Sequence, residues 1–346
     1  MINNIHIENF TIFQNADLEF CDGINVFFGE NGAGKSHAIK LIYSIATSVS
    51  NKKHFSETAD VKKHLQIAIA NKLNGTFKPE KLGRLVRRKQ GLNKSTISLT
   101  YDDSRKPIEF NFETRSSTEV KVTKTPKSIL SKSPVFLPTR ELMSIYPGFV
   151  SLFDTVNLEF EETWRDTCVL LGAPTLKGPR TSIADKLMAP IEKSIGGKVE
   201  LDKSGRFYLS IPKQGRMEMH LVAEGFRKTA MLARLISTGS LVDKGYLFWD
   251  EPETNLNPKL LKELIQVIVN LSIHGIQIFI ATHSMFFIRE LEIERMKNNK
   301  LLINYFSMNK SPDGTSVQQS QELDSIENLV ALEEEIRQSE RYLSEN

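Results

Sequence analysis

Residues 29–36, GENGAGKS, constrain the fold of this chain more than any other stretch. They match the pattern G-x-x-x-x-G-K-[S/T] and follow the apolar run INVFF, which predicts a buried strand. The next residues, HAIKLIYSIATSV, have apolar side chains at helical spacing. A strand, a glycine loop and a helix in this order predict a phosphate-binding loop, because backbone N–H groups and the positive end of the helix both face the anion.

The loop pattern gives several residues a chemical role. Gly29, Gly32 and Gly34 let the backbone turn inward around a polyphosphate. Lys35 is predicted to reach the β- and γ-phosphate oxygens, and Ser36 to hold Mg²⁺. The alternative is a glycine turn with an incidental lysine. The residues expected to contact the nucleotide are Gly29, Glu30, Asn31, Gly32, Ala33, Gly34, Lys35, Ser36 and His37.

A second segment supplies carboxylates. YLFWDEPETNLNP, residues 246–258, begins as an apolar strand and ends in Asp250 and Glu251. In an open α/β sheet, ligands bind at the carboxyl ends of the strands, where both acids are expected. Asp250 is predicted to support Mg²⁺, and Glu251 to orient or deprotonate an attacking water. This signal is weak alone and strong beside GENGAGKS, because phosphoryl transfer needs metal, phosphate cradle and water together.

A third strand, IFIATHS at residues 278–284, ends near His283. A lone histidine is more often structural than catalytic. Here it follows a predicted sheet strand about thirty residues after the acidic pair, so it is predicted to reach the γ-phosphate or the attacking water.

Composition limits where the protein acts. The chain has 346 residues and two cysteines, without metal-ligand spacing around either, so neither disulfides nor zinc are expected. No apolar run approaches the length of a membrane helix, and MINNIHIENF does not resemble a signal peptide. We therefore expect a cytoplasmic protein with no membrane partner.

Positive charge is concentrated in one region. The net charge is only +3, but residues 72–132 hold fifteen Lys and Arg against six Asp and Glu. One reading is a solvated face, and the other is a path for nucleic-acid phosphates. The segments STISLTY, PIEFNFE and TEVKV within this region alternate and predict an antiparallel sheet of exposed hairpins.

The loop, acid pair and histidine together resemble the ATPase head of the ABC superfamily, in the branch with RecF, SMC and DNA-repair relatives. GENGAGKS resembles the family's Walker A, LFWDEPETNLNP its Walker B and D-loop, and ATHS its switch histidine. The resemblance implies an α/β head with a mixed or parallel core sheet, an antiparallel β subdomain and a helical lobe. The implied parts are a core lobe of residues 1–138 and 200–308 containing the basic 72–132 insertion, a helical lobe at 139–199, and a hairpin with a charged helix at 309–346.

The family's signature, usually Leu-Ser-Gly-Gly-Gln, opens a helix that meets ATP bound to a second subunit. VAEGF, residues 222–226, occupies that place. Gly225 matches the second glycine, while Ala223 and Glu224 replace the serine and the first glycine. The resemblance implies that Gly225 leaves the backbone bare for a phosphate of a partner copy. The alternative is an ordinary amphipathic helix.

Two further family positions are less defined. The Q-loop should follow a strand before the helical lobe, where FLPTRE has no glutamine, and Thr139, Arg140 and Glu141 are its candidates. Asn9, Phe10 and Phe13 lie where relatives contact adenine, and are equally consistent with core residues.

The resemblance implies an ATPase that uses ATP and Mg²⁺ and acts as a homodimer or higher homo-oligomer. VAEGFRK, LFWDEPETNLNP and FLPTRE are similar to stand-alone ATPases of anti-phage systems such as the Septu type, which implies an effector partner, such as a nuclease. A DNA-binding repair clamp that uses the 72–132 region is the alternative. A third possibility is an ATP-binding module that hardly hydrolyses.

Overall fold

The computed structural model describes residues 1–55, 60–88, 90–101, 107–156, 158–176, 182–242, 245–312, 314–327 and 330–345. The strands are β1 (Ile2–Phe10), β2 (Phe13–Glu19), β3 (Ile24–Gly29), β4 (Lys94–Tyr101), β5 (Ile108–Glu113), β6 (Lys121–Lys124), β7 (Val135–Leu137), β8 (Lys198–Leu201), β9 (Phe207–Ile211), β10 (Gly215–Glu218), β11 (Gly245–Asp250), β12 (Ile276–Thr282), β13 (Ile303–Ser311) and β14 (Gly314–Ser320). The helices are α1 (Lys35–Ser50), α2 (Val61–Phe77), α3 (Tyr146–Thr155), α4 (Glu162–Gly172), α5 (Ser182–Ile195), α6 (Glu224–Ser237), α7 (Pro258–Ile273), α8 (Met285–Lys297) and α9 (Val330–Ser344).

The central layer is a six-stranded sheet in the order β14-β13-β3-β12-β11-β7. Five of its strands, β3, β7, β11, β12 and β13, pair in parallel, and β14 adds an antiparallel edge. Continuous apolar runs form the inner strands because both faces of the sheet are covered. The sheet therefore brings the carboxyl ends of β3, β11 and β12 to one edge, and the predicted α/β class is confirmed.

Neighbouring residues on β3 and β11 contribute to two separate cores. Val26 and Trp249 pack in a core on one face of the sheet with α6, α7 and α8. Phe27 and Phe248 pack on the other face with α1 and α2. This division follows from the alternation of side chains along a strand.

A second, antiparallel sheet has the order β2-β1-β4-β5-β6. It contains the strands predicted in the basic region, but these extend the N-terminal hairpin rather than standing apart. Their alternate side chains, such as Leu99 and Phe110, are fully buried in the core with α1 and α2. The prediction of exposed hairpins is therefore wrong for one face of the sheet, because α1 and α2 cover it. Lys89, Arg105 and Lys106 of the basic region lie outside the described residues.

A third sheet, β10-β9-β8, is hydrogen-bonded only within itself among the described strands. The sheet packs beside the helices: the Phe207 ring lies 4.8 Å from that of Tyr146 on α3, and the Arg234 guanidinium of α6 lies 5.8 Å from the Phe207 ring. Alternating apolar residues on β9 turn one face of this small sheet toward α3 and α6.

Helix α4 is joined to the helix of the glycine loop by ionic contacts. Lys40 on α1 lies 2.5 Å from Glu161, the residue before α4, and the Tyr43 hydroxyl donates to Asp166 at 2.6 Å. Lys72 of α2 pairs with Glu162 at 3.0 Å. None of the helices in the described ranges is both long enough and apolar enough to span a membrane.

Candidate active site

The glycine loop has the conformation that the sequence pattern predicts. It runs from Gly29 at the end of β3 to Lys35 at the start of α1, and Gly29, Gly32 and Gly34 have φ angles of 133°, 79° and 97°. Residues with side chains rarely adopt such angles. Lys35 folds back on the loop, where its Nζ donates to the carbonyls of Gly29 at 2.8 Å and Glu30 at 2.9 Å. Burial lowers the pKa of Lys35, and the carboxylates of Glu251, Asp250 and Glu253 partly oppose this effect.

The C-terminal hairpin holds the loop from outside. A Cβ on Gly29 would lie 2.1 Å from the carbonyl oxygen of Met308 on β13. Thr315 of β14 donates through its hydroxyl to the Ala33 carbonyl at 2.9 Å. Lys310 extends from the same hairpin, with its Nζ 3.2 Å from the position of a Cβ on Gly32. No local pattern predicted this second ammonium group beside the loop, because its position depends on strand pairing across the whole chain.

Asp250 and Ser36 place a carboxylate and a hydroxyl side by side at the start of α1. Asp250 ends β11, is largely buried, and accepts a hydrogen bond from the Ser36 hydroxyl at 2.8 Å. Burial raises the pKa of Asp250, and the Ser36 hydrogen bond works against that rise. A hydroxyl beside a carboxylate is an oxygen donor pair of the kind that Mg²⁺ accepts, so these residues fit the predicted metal.

Glu251 and His283 meet at the ends of β11 and β12. The Nδ1 of His283 lies 3.3 Å from Glu251 Oε1 and 3.5 Å from Glu253 Oε1. Glu251 has a φ of 48°, in the left-handed region, and its N–H donates to the Ala281 carbonyl at 2.8 Å. The structure thus brings Lys35, Ser36, Asp250, Glu251 and His283 to one edge of the sheet.

Glu253 was not among the predicted site residues. Its Oε1 accepts hydrogen bonds from the Thr282 hydroxyl at 2.6 Å and from the His283 N–H at 3.1 Å. The second glutamate of the DEPE sequence, the third of its acids, was the available signal. Glu253 therefore stabilises the end of β12 and fixes the backbone position from which the His283 side chain extends.

Comparison with known proteins agrees with this geometry. Residues 4–144 match the family model described as "AAA domain", and residues 150–289 match the one described as "AAA domain, putative AbiEii toxin, Type IV TA system". Two solved structures share the fold: an Smc head bound to the C-winged helix domain of ScpA (TM-score 0.61, 10% identity, 94% of this chain and 98% of that one) and an Smc head with an extended coiled coil bound to the C-terminal domain of ScpA from Pyrococcus furiosus (0.57, 11%, 97% and 99%). The chain therefore has the fold of an SMC head, and AAA-domain models match it in two stretches.

Similarity in sequence to curated relatives is local. The head is 38% identical over 56 residues to the DNA replication and repair protein RecF of Shewanella piezotolerans, covering 16% of each chain. It is 30% identical over 123 residues to the structural maintenance of chromosomes protein 6 of Dictyostelium discoideum, covering 34% of this chain and 10% of that protein. The matches therefore span less than a fifth of these relatives.

The signature position of the head lies at the start of α6. Ala223 is the exposed N-cap residue and makes no side-chain capping bond, and Glu224 lies in the first turn. Gly225 is buried, and a Cβ there would lie 2.9 Å from both the Asn255 carbonyl oxygen and Leu256 Cδ2. Contact with the D-loop of the same chain is thus sufficient reason for a glycine at position 225. The resemblance had implied another reason, the close approach of a partner's phosphate.

The Q-loop candidates occupy different environments. Parallel pairing of Leu137 with Trp249 places residues after β7 at the same sheet edge as Asp250. Thr139 is partly exposed and Arg140 exposed there. Glu141 is buried and directed at α6, since its Oε1 lies 2.9 Å from Nε of Arg227 and its Oε2 accepts from the Met143 N–H at 2.9 Å.

A cavity of about 560 Å³ lies beside the loop. It is lined by Thr11, Ile12, His37, Phe77, residues 84–88, Ser311, Pro312 and Gly314. Two of its buried polar atoms, Thr11 Oγ1 and His37 Nδ1, have no hydrogen-bond partner. Burial lowers the pKa of His37, and Lys40 adds to the effect. Phe10 and Phe13 are fully buried core residues and do not line this cavity.

Proposed function

We propose that the head binds ATP with Mg²⁺ and hydrolyses it. The observation that carries this proposal is the meeting of Lys35, the Ser36 and Asp250 pair, and Glu251 with His283 at one sheet edge. The triphosphate would lie in the glycine loop, and the base in the neighbouring 560 Å³ cavity. Phosphate release from ATP by the purified chain, lost when Mg²⁺ is chelated, is the expected result. A chain that binds no ATP would contradict the proposal.

The residues divide the chemistry among themselves. Lys35 and the loop N–H groups hold the phosphates, and Ser36 with Asp250 would hold Mg²⁺, which neutralises phosphate charge when bound. Glu251 orients a water and accepts its proton. His283 stands beside Glu251 Oε1, at 3.3 Å, and positions the carboxylate and the water against the terminal phosphate.

His283→Ala is expected to lower kcat for ATP hydrolysis by about 10- to 100-fold, because small errors in the position of reacting groups cost rates of this order. ATP affinity should change little, since the loop is untouched. Phosphate release and ATP titration measure the two effects. His274→Ala is the control, because His274 bonds to the Asn270 carbonyl at the end of α7. Equal kcat in wild type and His283→Ala would remove the histidine from the mechanism.

Lys310→Met is expected to weaken ATP binding by about two- to fivefold, as befits one exposed charge, and less at high salt. The reason is the position of its ammonium group beside Gly32. Calorimetric titration at two salt concentrations measures it. Lys300→Met, before the opposite end of β13, is the control. Unchanged affinity would place Lys310 outside the phosphate site.

We further propose that two copies enclose two ATP molecules, each presenting the start of α6 to the other's glycine loop. Exposure of Ala223 and the positive end of α6 support this arrangement. The two copies would close on ATP and separate after hydrolysis. ATP-dependent dimerisation in light scattering is the test.

We also propose that this cycle controls an effector protein, such as a nuclease in anti-phage defence. The family description that includes a toxin and a type IV TA system supports a defence role. The test is affinity capture from the native host with and without ATP, followed by mass spectrometry. Capture of only this chain under both conditions would contradict the effector.

A DNA-bound clamp of the repair type is the second candidate function. Similarity to RecF and the position of Arg84, Arg87 and Arg88 around the cavity beside the loop support it. Gel shifts across a salt series decide between the two: steep, salt-sensitive binding by the chain alone favours the clamp. Binding that requires a co-purified effector favours the switch.

A further inference from the structure

Lys228 has no role in the mechanism described above, yet it is one of the most deeply buried cations of the head, at 2% exposure. It lies on the second turn of α6, after the signature position. Its Nζ donates to the Glu251 carbonyl at 2.8 Å and to the Thr254 carbonyl at 3.2 Å. Its ammonium group thus binds the backbone of the residue that carries the catalytic carboxylate.

The backbone that Lys228 binds is strained. Glu251 and Asn255 have φ angles of 48° and 64°, in a region that non-glycine residues seldom occupy. Within the segment, turn bonds join the Thr254 N–H to the Glu251 carbonyl at 3.3 Å and the Leu256 N–H to the Glu253 carbonyl at 3.1 Å. Such a conformation persists when its surroundings fix it, and Lys228 supplies two of the fixing bonds.

A second contact joins the same two elements. Gly225, three residues before Lys228 on α6, lies against Asn255 and Leu256, with space for no Cβ. Burial lowers the pKa of Lys228 to about 8, while the carboxylates of Glu253, Glu251, Glu224 and Asp250 oppose this. The start of α6 and residues 251–256 are therefore packed as one unit.

We propose that Lys228 is a positioning residue that couples the start of α6 to the backbone of Glu251, so that contact of α6 with a second copy's nucleotide sets the geometry of hydrolysis. This inference rests on the proposed ATPase function and sandwich. Lys228 links the pairing surface at the start of α6 to the backbone that carries the catalytic carboxylate, because a shift of α6 moves the two carbonyls that Lys228 binds.

The test is Lys228→Met, which keeps the length of the side chain and removes its donors. We expect kcat for ATP hydrolysis to fall at least tenfold and ATP affinity to stay within twofold. If pairing activates hydrolysis, the specific activity of the wild type rises with protein concentration, and we expect this rise to disappear in the variant. The matched control is Arg234→Met. Arg234 is also a buried cation on α6, and it donates to the carbonyls of Leu171 and Ala173, away from the site. Its variant should keep kcat per folded molecule.

A second variant covers the case in which Lys228→Met does not fold. Gly225→Ala places a Cβ against the Asn255 carbonyl and should lower kcat with ATP affinity retained. If the wild-type protein hydrolyses ATP and both variants keep its kcat, the coupling is overturned while the proposed ATPase function stands. Equal losses in the Lys228 and Arg234 variants also overturn it, since they indicate stability only. Absence of hydrolysis in the wild type overturns the proposed function together with the coupling.

Discussion

Glu251→Gln is expected to slow ATP hydrolysis by about 100- to 10,000-fold, the range that a positioned general base contributes. The amide has nearly the shape of the carboxylate but cannot accept the proton of the attacking water. The glycine loop and the Ser36 and Asp250 pair are untouched, so ATP should stay bound and hold two copies together. Single-turnover hydrolysis and retention of labelled ATP on the dimer measure both effects.

Glu253→Gln is the matched control for that experiment. Glu253 acts as an acceptor for the Thr282 hydroxyl and the His283 N–H, and the amide oxygen of glutamine can accept both bonds. We expect a loss of less than about tenfold, because positions change slightly and the base remains. If Glu251→Gln turns over ATP as fast as wild type, or if Glu253→Gln is the slower variant, the general base is misassigned.

Ala223→Asp is expected to weaken ATP-driven dimerisation by at least about 100-fold, since opposed like charges at an interface cost several kcal/mol. The carboxylate would face a phosphate of the second copy. The same change should stabilise the monomer by about 1 kcal/mol, because Ala223 is the N-cap of α6 and makes no capping bond. Loss of pairing would therefore occur in a chain that folds better.

Ala223→Ser separates charge from capping. Serine caps the helix equally well, and its hydroxyl can donate to a phosphate, so pairing should become tighter. Thermal unfolding without ATP and sedimentation with ATP distinguish the two effects. If both variants pair as wild type does, the start of α6 does not face the second nucleotide. A substitution at Gly225 would not separate these effects, because Gly225 is packed against its own D-loop.

Local patterns in the sequence predicted much of the fold. The glycine loop, the apolar strand before it and the acids that end β11 appear in the structure where the spacing placed them, because each depends on a few consecutive residues. The same holds for α6, which begins at Glu224. The predicted chemical roles of these residues stay predictions until they are measured.

Contacts between distant residues could not be read from the sequence. The pattern FLPTRE made Glu141 one of three candidates for the Q-loop, but its carboxylate lies 2.9 Å from Arg227, 86 positions further along the chain. No local pattern marks Lys228, and only the fold shows its two carbonyl partners. Periodicity gives the face of an element, whereas the partner on that face depends on how the elements are arranged.

The hold of the C-terminal hairpin on the glycine loop has a consequence for the order of folding. Met308 pairs with Gly29, and Thr315, 282 positions after Ala33, donates to the Ala33 carbonyl. Strand β13 also lies between β3 and the sheet's edge. Because contacts between such distant residues require the closure of a long stretch of chain, we expect the glycine loop to be enclosed late in folding.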